Sequence, residues 1–171
     1  TQAALLGIKG LFDEAEDALS RSQKIIDNAD KIAGTDDLNT ARELSSLYIQ
    51  LGRYSDAEEP LLKLMSEYEK LFGTSSVRLI DPLVNMGKIA LAKGDYTEAS
   101  KIASRANKIA TGVYGEKSTK TAPTHKLQSD IDYAIGDYES AERNIQKALE
   151  SQEKQFGRYH IEVAKSLAQL G

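Results

Sequence analysis

The strongest constraint on this chain is a sequence marker that recurs every 42 residues. The marker is a glycine followed two residues later by an aromatic residue, and three residues after that by an alanine. Its copies begin at Gly10, Gly52, Gly94 and Gly136. A second marker, an aromatic residue followed by glycine, keeps the same spacing at Phe72, Tyr114 and Phe156. Because two independent markers hold one register, we infer that the chain is a tandem array of similar units.

Composition and repeat together predict a pair of antiparallel α-helices in each unit. Ala, Leu, Glu, Lys and Gln dominate, there are only 3 prolines, and strand-forming runs are scarce. The marker glycine lets one helix end, and Asp95 followed by Glu98 matches a capping box at the start of the next helix. Gly87 and Ala99 are expected to lie where the two helices cross, with the marker aromatic filling the corner between them. The predicted fold class is therefore all-α.

We predict one repeat domain over residues 1–171, with units near 1–32, 36–73, 76–115 and 118–157 and a partial unit at 160–171. The predicted helix pairs are 36–51 with 54–72, 76–93 with 95–114, and 118–135 with 137–156. Asp81, which precedes a proline, is expected to cap its helix and to leave 75–80 as an irregular or 3₁₀ lead-in. Because the chain opens at Thr1 within a predicted helix and ends inside an unpaired first helix, we expect a fragment of a longer protein.

The glycine, aromatic and alanine spacing resembles the tetratricopeptide pattern of W-x2-L-G-x2-Y followed by A-x3-F, whose usual period is about 34 residues. The eight extra residues amount to about two helical turns, so each helix of a pair can be one turn longer. The stretch from Phe156 to Ala164, in which Phe-Gly closes a second helix, looks like the kinesin-light-chain class of these repeats. The resemblance implies a right-handed superhelical α-solenoid whose first helices line the concave side.

The resemblance also implies that a peptide or a partner helix binds in this concave groove. The candidate groove residues, all in predicted first helices, are Asn39, Arg42, Ser46, Ile49, Val84, Lys88, Leu91, Lys126, Asp130 and Tyr133. The asparagine of the family's carboxylate clamp is replaced by Ser46, Lys88 and Asp130, so a receptor for chain-terminal carboxylates is not expected. Cationic residues beside apolar and aromatic ones suit a segment with acidic and hydrophobic side chains.

Several function classes lack the residues that they need. The chain has no cysteine, which excludes disulfides, thiolate catalysis and Cys-based zinc sites. His160 and Glu162 match the H-x-E of zinc deaminases, but the accompanying P-C-x-x-C is missing. Because P-loop, G-x-G-x-x-G and G-x-S-x-G motifs are also missing, we predict no catalytic residues, no metal and no cofactor.

Charge and hydropathy limit which kinds of partner and which compartment are expected for the chain. The net charge of -4 is spread over interleaved acids and bases, which disfavours nucleic acid and membrane surfaces as partners. No apolar run approaches the roughly 20 residues of a membrane-spanning helix. The absence of cysteine fits a reducing compartment, and we expect a cytoplasmic protein.

One charge asymmetry interrupts this balance. Residues 101–126 carry six bases and one acid, Glu116, whereas residues 130–142 carry five acids and no base. Adjacent repeats could balance each other, or the basic stretch could contact an acidic partner or nucleic acid. The leading functional interpretation is a protein-interaction scaffold without enzymatic activity. The alternative is a sensory or regulatory segment of a larger enzyme, such as a caspase-like protease.

Overall fold

The computed structural model describes Asp17 and residues 35–170, so the predicted unit near 1–32 lies almost wholly outside the described residues. Residues 35–170 form seven α-helices and no β-strand, which confirms the all-α fold class. The helices are α1 (Thr35–Gln50), α2 (Tyr54–Phe72), α3 (Ile80–Ala92), α4 (Tyr96–Tyr114), α5 (Ala122–Ala134), α6 (Tyr138–Phe156) and α7 (Ile161–Leu170).

The helices pack as successive antiparallel pairs. In each pair a first helix packs on the second helix that follows it: α1 on α2, α3 on α4 and α5 on α6. The first helices also contact one another in order, α1 with α3 and α3 with α5, and the backbones of the described second helices do not approach one another as closely. This succession of pairs is an α-solenoid, and its first helices are the more closely spaced layer.

Short 3₁₀ turns precede two first helices, Val77–Leu79 before α3 and Thr119–Thr121 before α5. The 3₁₀ lead-in before Pro82 is thus as predicted, but the prediction that Asp81 caps the helix is wrong. The α-helix already begins at Ile80, and Asp81 lies in its first turn. The reason is that the 3₁₀ turn runs directly into the α-helix, so the capping side chain lies further upstream. Ser76 accepts a hydrogen bond there from the backbone N–H of Arg78 at 3.3 Å.

The starts of two second helices, α4 and α6, follow from their caps. Asp95 accepts a hydrogen bond from the backbone N–H of Glu98 at 3.0 Å, which confirms the predicted cap. Asp137 does the same with Ser140 at 3.1 Å, and hydrogen bonds from the side chain and the backbone of Ser140 lower the pKa of Asp137. Between α3 and α4, Gly94 has a φ of 78°, a left-handed conformation that favours glycine.

Close packing centres on Gly87, where α5 approaches α3. A Cβ atom added to Gly87 would lie 2.6 Å from Cδ2 of Leu127 in α5. In the third pair, Ser129 at the equivalent position donates a hydrogen bond from Oγ to the carbonyl oxygen of Ala141 in α6 at 2.8 Å. Ser129 therefore lies at the predicted contact within its pair, whereas the neighbour found at Gly87 is the following first helix.

Of the marker tyrosines, Tyr54 is partly buried against the hydrophobic cluster, but the other two do not fill the corners as predicted. Tyr96 and Tyr138 are both exposed, whereas Ala99 and Ala141, three residues later, are buried. Each tyrosine is the first residue of its helix, so its side chain projects from the helix end ahead of the crossing.

The interior changes in character along the chain. A continuous hydrophobic cluster runs from Leu44 to Ile131. Of the buried polar residues that the structure describes, one precedes position 121, namely Ser45, and the others are Thr121, Thr124, His125, Ser129, Asp132, Ser151, Gln152 and Ser166. The third pair is thus held together by more hydrogen bonds and fewer apolar contacts than the second.

Candidate functional site

The candidate site is the surface of α1, α3 and α5, which carry all ten predicted groove residues. Two of these predictions are wrong, because Ile49 is 9% and Val84 is 5% exposed and both belong to the hydrophobic cluster. Each lies on a helix face that packs inside the stack, where an apolar side chain is covered by its neighbours. The other eight are exposed or half-buried, and we call them the first-helix face: Asn39, Arg42, Ser46, Lys88, Leu91, Lys126, Asp130 and Tyr133.

The first-helix face is linked across α1 and α3 by a hydrogen bond. Asn85 of α3 donates from Nδ2 to Oγ of Ser46 in α1 at 3.2 Å. Asn85 was not among the predicted residues, since its contact depends on how two repeats meet. Arg42, one turn before Ser46, donates to the Glu43 carboxylate at 2.8 Å, and this bond raises the pKa of the guanidinium. Arg42 therefore stays fully cationic on this face.

Asp130 joins the face across α3 and α5. Burial of its carboxyl group raises the pKa of Asp130, and the positive charges of Lys126 and Lys88 act in the opposite direction. Because Lys88 lies on α3 and Asp130 on α5, equivalent positions of neighbouring first helices interact electrostatically. The face thus carries a cationic side chain on each of the three helices and one carboxyl group, that of Asp130, on α5.

A cleft of about 470 Å³ lies beside α5, and two residues of the first-helix face, Asp130 and Tyr133, line it. The remaining lining residues are Ser129, Tyr138, Ala141, Glu142 and Ile145. Tyr133 is 67% exposed, and its ring meets that of Tyr138 edge to face with centroids 5.3 Å apart. Sequence reasoning missed Tyr138 and Glu142 because they lie on a second helix, α6. In the preceding pair, the equivalent place near Gly87 is filled by Leu127 of α5.

Two bases of the stretch 101–126 are paired with acids, Lys101 with Glu98 and Arg105 with Glu69. Arg105 of α4 binds the Glu69 carboxylate of α2 at 2.5 Å and the Thr74 carbonyl at 2.9 Å. Lys147 of α6 binds Glu116 at 2.8 Å, which lowers the pKa of Glu116. These contacts support the interpretation that adjacent repeats balance each other's charge.

Two of the aromatic residues that close the second helices, Phe72 and Tyr114, have a cationic side chain over their rings. Arg78 lies 4.6 Å from the ring centroid of Phe72, and Lys120 lies 4.6 Å from that of Tyr114. At the third position His160 stacks on Phe156 with centroids 4.4 Å apart, and its Nδ1 accepts from the backbone N–H of Glu162 at 3.2 Å. The H-x-E pair is therefore part of a local turn. Over the described residues, no group of three or more His, Asp or Glu is arranged to hold a metal.

Two family models described as Tetratricopeptide repeat match this chain, one over residues 38–77 and the other over residues 78–154. This chain belongs to the tetratricopeptide repeat family. Repeats of this family generally mediate interactions between proteins and are generally non-catalytic. The described tetratricopeptide helices include none with the length and apolar character needed to cross a bilayer.

One solved structure with the same fold is that of BtubC (BKLC) from P. vanneervenii. The alignment has a TM-score of 0.74 and 18% sequence identity, and it covers 95% of this chain and 65% of BtubC. This tetratricopeptide chain thus spans about two thirds of the length of that protein, and the likeness concerns the fold. No curated protein matches the sequence.

Proposed function

We propose that this tetratricopeptide chain binds a peptide or a partner helix along the first-helix face. The observation that carries the proposal is the direct contact of α1 with α3 and of α3 with α5, which makes one continuous surface of three helices. In a curved stack, the more closely spaced layer lies on the inside, and this supports a concave position for the face. Its side chains are accessible at intervals along all three helices, as a long ligand requires.

The chemistry of the face favours a ligand with acidic and hydrophobic side chains. Arg42, Lys88 and Lys126 supply cationic groups on three successive helices, and Leu91 and Tyr133 supply partly exposed apolar surface. Charged residues at the rim of such a surface act mainly on the association rate and on selectivity, while buried aromatic contacts contribute most of the affinity. We therefore expect weak-to-moderate binding that weakens as salt is added.

The test is a selection of random 15-residue peptides on the immobilised chain, followed by fluorescence anisotropy with the most enriched peptide. The variant Arg42→Glu, Lys88→Glu, Lys126→Glu reverses three charges on the face and should weaken binding by at least about tenfold. The matched control, Lys101→Glu, Lys108→Glu, Lys154→Glu, reverses three exposed charges on the second helices α4 and α6. It should bind like the wild type.

Circular dichroism melts establish that both triple variants remain folded. If the control variant loses binding and the first-helix variant keeps it, the second-helix surface around Lys101 and Lys108 is the binding surface and the proposal is wrong. Equal binding by all three proteins would also contradict it.

A further inference from the structure

His125 occupies a core position in the first turn of α5 and is only 3% exposed. The residue 42 positions earlier is Leu83, which is likewise buried, in α3. A titratable imidazole therefore stands where the preceding repeat has an aliphatic side chain. It also stands near the positive end of a helix dipole, which disfavours a cation.

The surroundings of His125 provide for only one ring proton. The backbone of Glu116, in the loop between α4 and α5, acts on the imidazole as a hydrogen-bond acceptor and raises its pKa. Its Nε2 atom is buried and has no hydrogen-bond partner within the described part of the chain. A second ring proton would create a buried N–H without an acceptor, and such a group carries its full desolvation penalty.

Two charged groups of the described chain act on the ring, Lys147 of α6 and Glu116 of the loop. They bind each other at 2.8 Å. Burial lowers the pKa of His125 below its ordinary value of 6.5, the charge of Lys147 lowers it further, and Glu116 acts in the opposite direction. Because the Glu116 carboxylate is already paired with Lys147, it does little to stabilise the positive charge of a protonated His125.

We propose that His125 makes the joint between α4, α5 and α6 sensitive to acid, so that protonation of its buried imidazole loosens the start of α5. The joint is closed when the ring is neutral. When the ring gains a proton, the start of α5 moves away from the loop that contains Glu116, and Nε2 gains access to water. The pair α1–α2 stays packed. Helix α3 also stays packed, because it has Leu83 at the position equivalent to His125.

The direction of the pH effect follows from linkage. The open state has an ordinary histidine pKa near 6.5 and the closed state a lower one, so the open state binds more protons between these values. The joint is therefore fully stable above pH 6.5 and loses stability as the pH falls below it. Across that interval the opening equilibrium rises by up to about tenfold per pH unit.

This device is independent of the proposed function, because it concerns opening of the fold and not binding. If the first-helix face does bind a ligand, however, the joint controls the helix that carries Lys126, Asp130 and Tyr133. Mild acid would then weaken the contacts between α5 and the ligand and leave the contacts of α1 and α3 unchanged.

The test compares hydrogen exchange of the whole chain at pH 7.5 and at pH 5.5 for wild type, His125→Leu and His160→Gln. Leucine restores the residue type of position 83 and removes the titrating group. His160 is the matched control, because it is the second of the 2 histidines and stacks on Phe156 outside the core. After correction for intrinsic exchange rates, α5 peptides of wild type and of His160→Gln should lose up to about tenfold more protection than α3 peptides. In His125→Leu the two helices should respond alike.

Three outcomes would overturn the proposal: the same loss in α5 of His125→Leu, an equal loss in all helices of the wild type, or a histidine that titrates normally. The last is measured by NMR titration of the wild-type imidazole, which also decides the matter if His125→Leu does not fold. A pKa for His125 at or above 6.5 would show that the closed joint does not resist protonation.

Discussion

Ser129 donates a hydrogen bond to the carbonyl oxygen of Ala141 at 2.8 Å, whereas Gly87, its counterpart one repeat earlier, lies against Leu127 with no side chain of its own. The same position of the repeat thus has two roles. Ser129 provides a hydrogen bond between the two helices of its pair, and Gly87 provides space for the next first helix. The same period can therefore be stabilised in two physically different ways, and each makes a separate prediction.

Replacing Ser129 by alanine should destabilise the third pair modestly. The hydroxyl is buried and its hydrogen bond is lost, but the Ala141 carbonyl lies within α6 and keeps its helical partner. We expect a loss of about 1 kcal/mol in the free energy of unfolding, measured by urea titration. Ser104→Ala, an exposed serine of α4, is the control and should leave the unfolding midpoint unchanged. A Ser129→Ala midpoint equal to that of the wild type would show that the bond contributes nothing.

Replacing Ala99 by leucine should overfill the crossing of α3 and α4. Ala99 is completely buried, so three added carbon atoms must displace neighbouring helices. We expect a loss of about 1–3 kcal/mol by thermal or urea unfolding. Because repeats interact with nearest neighbours, hydrogen exchange should accelerate most in α3, α4 and α5. Acceleration spread evenly from α1 to α7 would contradict the local part of this prediction.

Two glycine-to-alanine substitutions should have opposite signs. Gly94 has a φ of 78° between α3 and α4, so alanine there is strained and should cost about 1–2 kcal/mol. Gly112 lies in the last turn of α4 with open space where the methyl group of an alanine would stand, so alanine there should stabilise the helix by about 0.5 kcal/mol. Chemical unfolding of both variants beside the wild type checks the pair. A stabilising Gly94→Ala would mean that the turn tolerates another conformation.

The more polar interior of the third pair should make it the less protected one. Apolar burial stabilises α3 and α4, while hydrogen bonds of buried side chains, such as that of Thr124 to Asn107 at 3.0 Å, take a larger share in α5. Native-state hydrogen exchange at pH 7.5 should therefore give lower opening free energies for α5 and α6 than for α3 and α4. The reverse order would show that the hydrogen-bond network is the stronger of the two.

The helices and the cap of α4 could be predicted from sequence because their signals are local. Gly94, Asp95 and Glu98 form one turn, and the residues that determine its geometry are adjacent in the chain. The cap at Asp81 could not be placed in the same way, because a 3₁₀ turn upstream changes where the helix begins. An aspartate followed by a proline gives the same sequence signal whether or not a 3₁₀ turn precedes it.

The site residues were harder to predict because their exposure depends on the next repeat. Ile49, Leu91 and Tyr133 are equivalent by the 42-residue period, yet the first is buried, the second half-buried and the third exposed. The family pattern assigns them one role, while the actual environment depends on the packing of neighbouring helices. His125 is a similar case: the period makes it equivalent to Leu83, and this comparison was the available signal that it belongs to the core.

The cations on the second helices have a mechanical consequence. Arg105 reaches back to Glu69 and the Thr74 carbonyl, and Lys147, 42 residues later, reaches back to Glu116 at the position equivalent to Thr74. The pairs α3–α4 and α5–α6 are thereby each tethered to the preceding pair on the second-helix side by a contact that water and ions can reach. Salt weakens such tethers but hardly affects the apolar contacts between first helices. The α-solenoid should therefore bend more easily as the ionic strength rises.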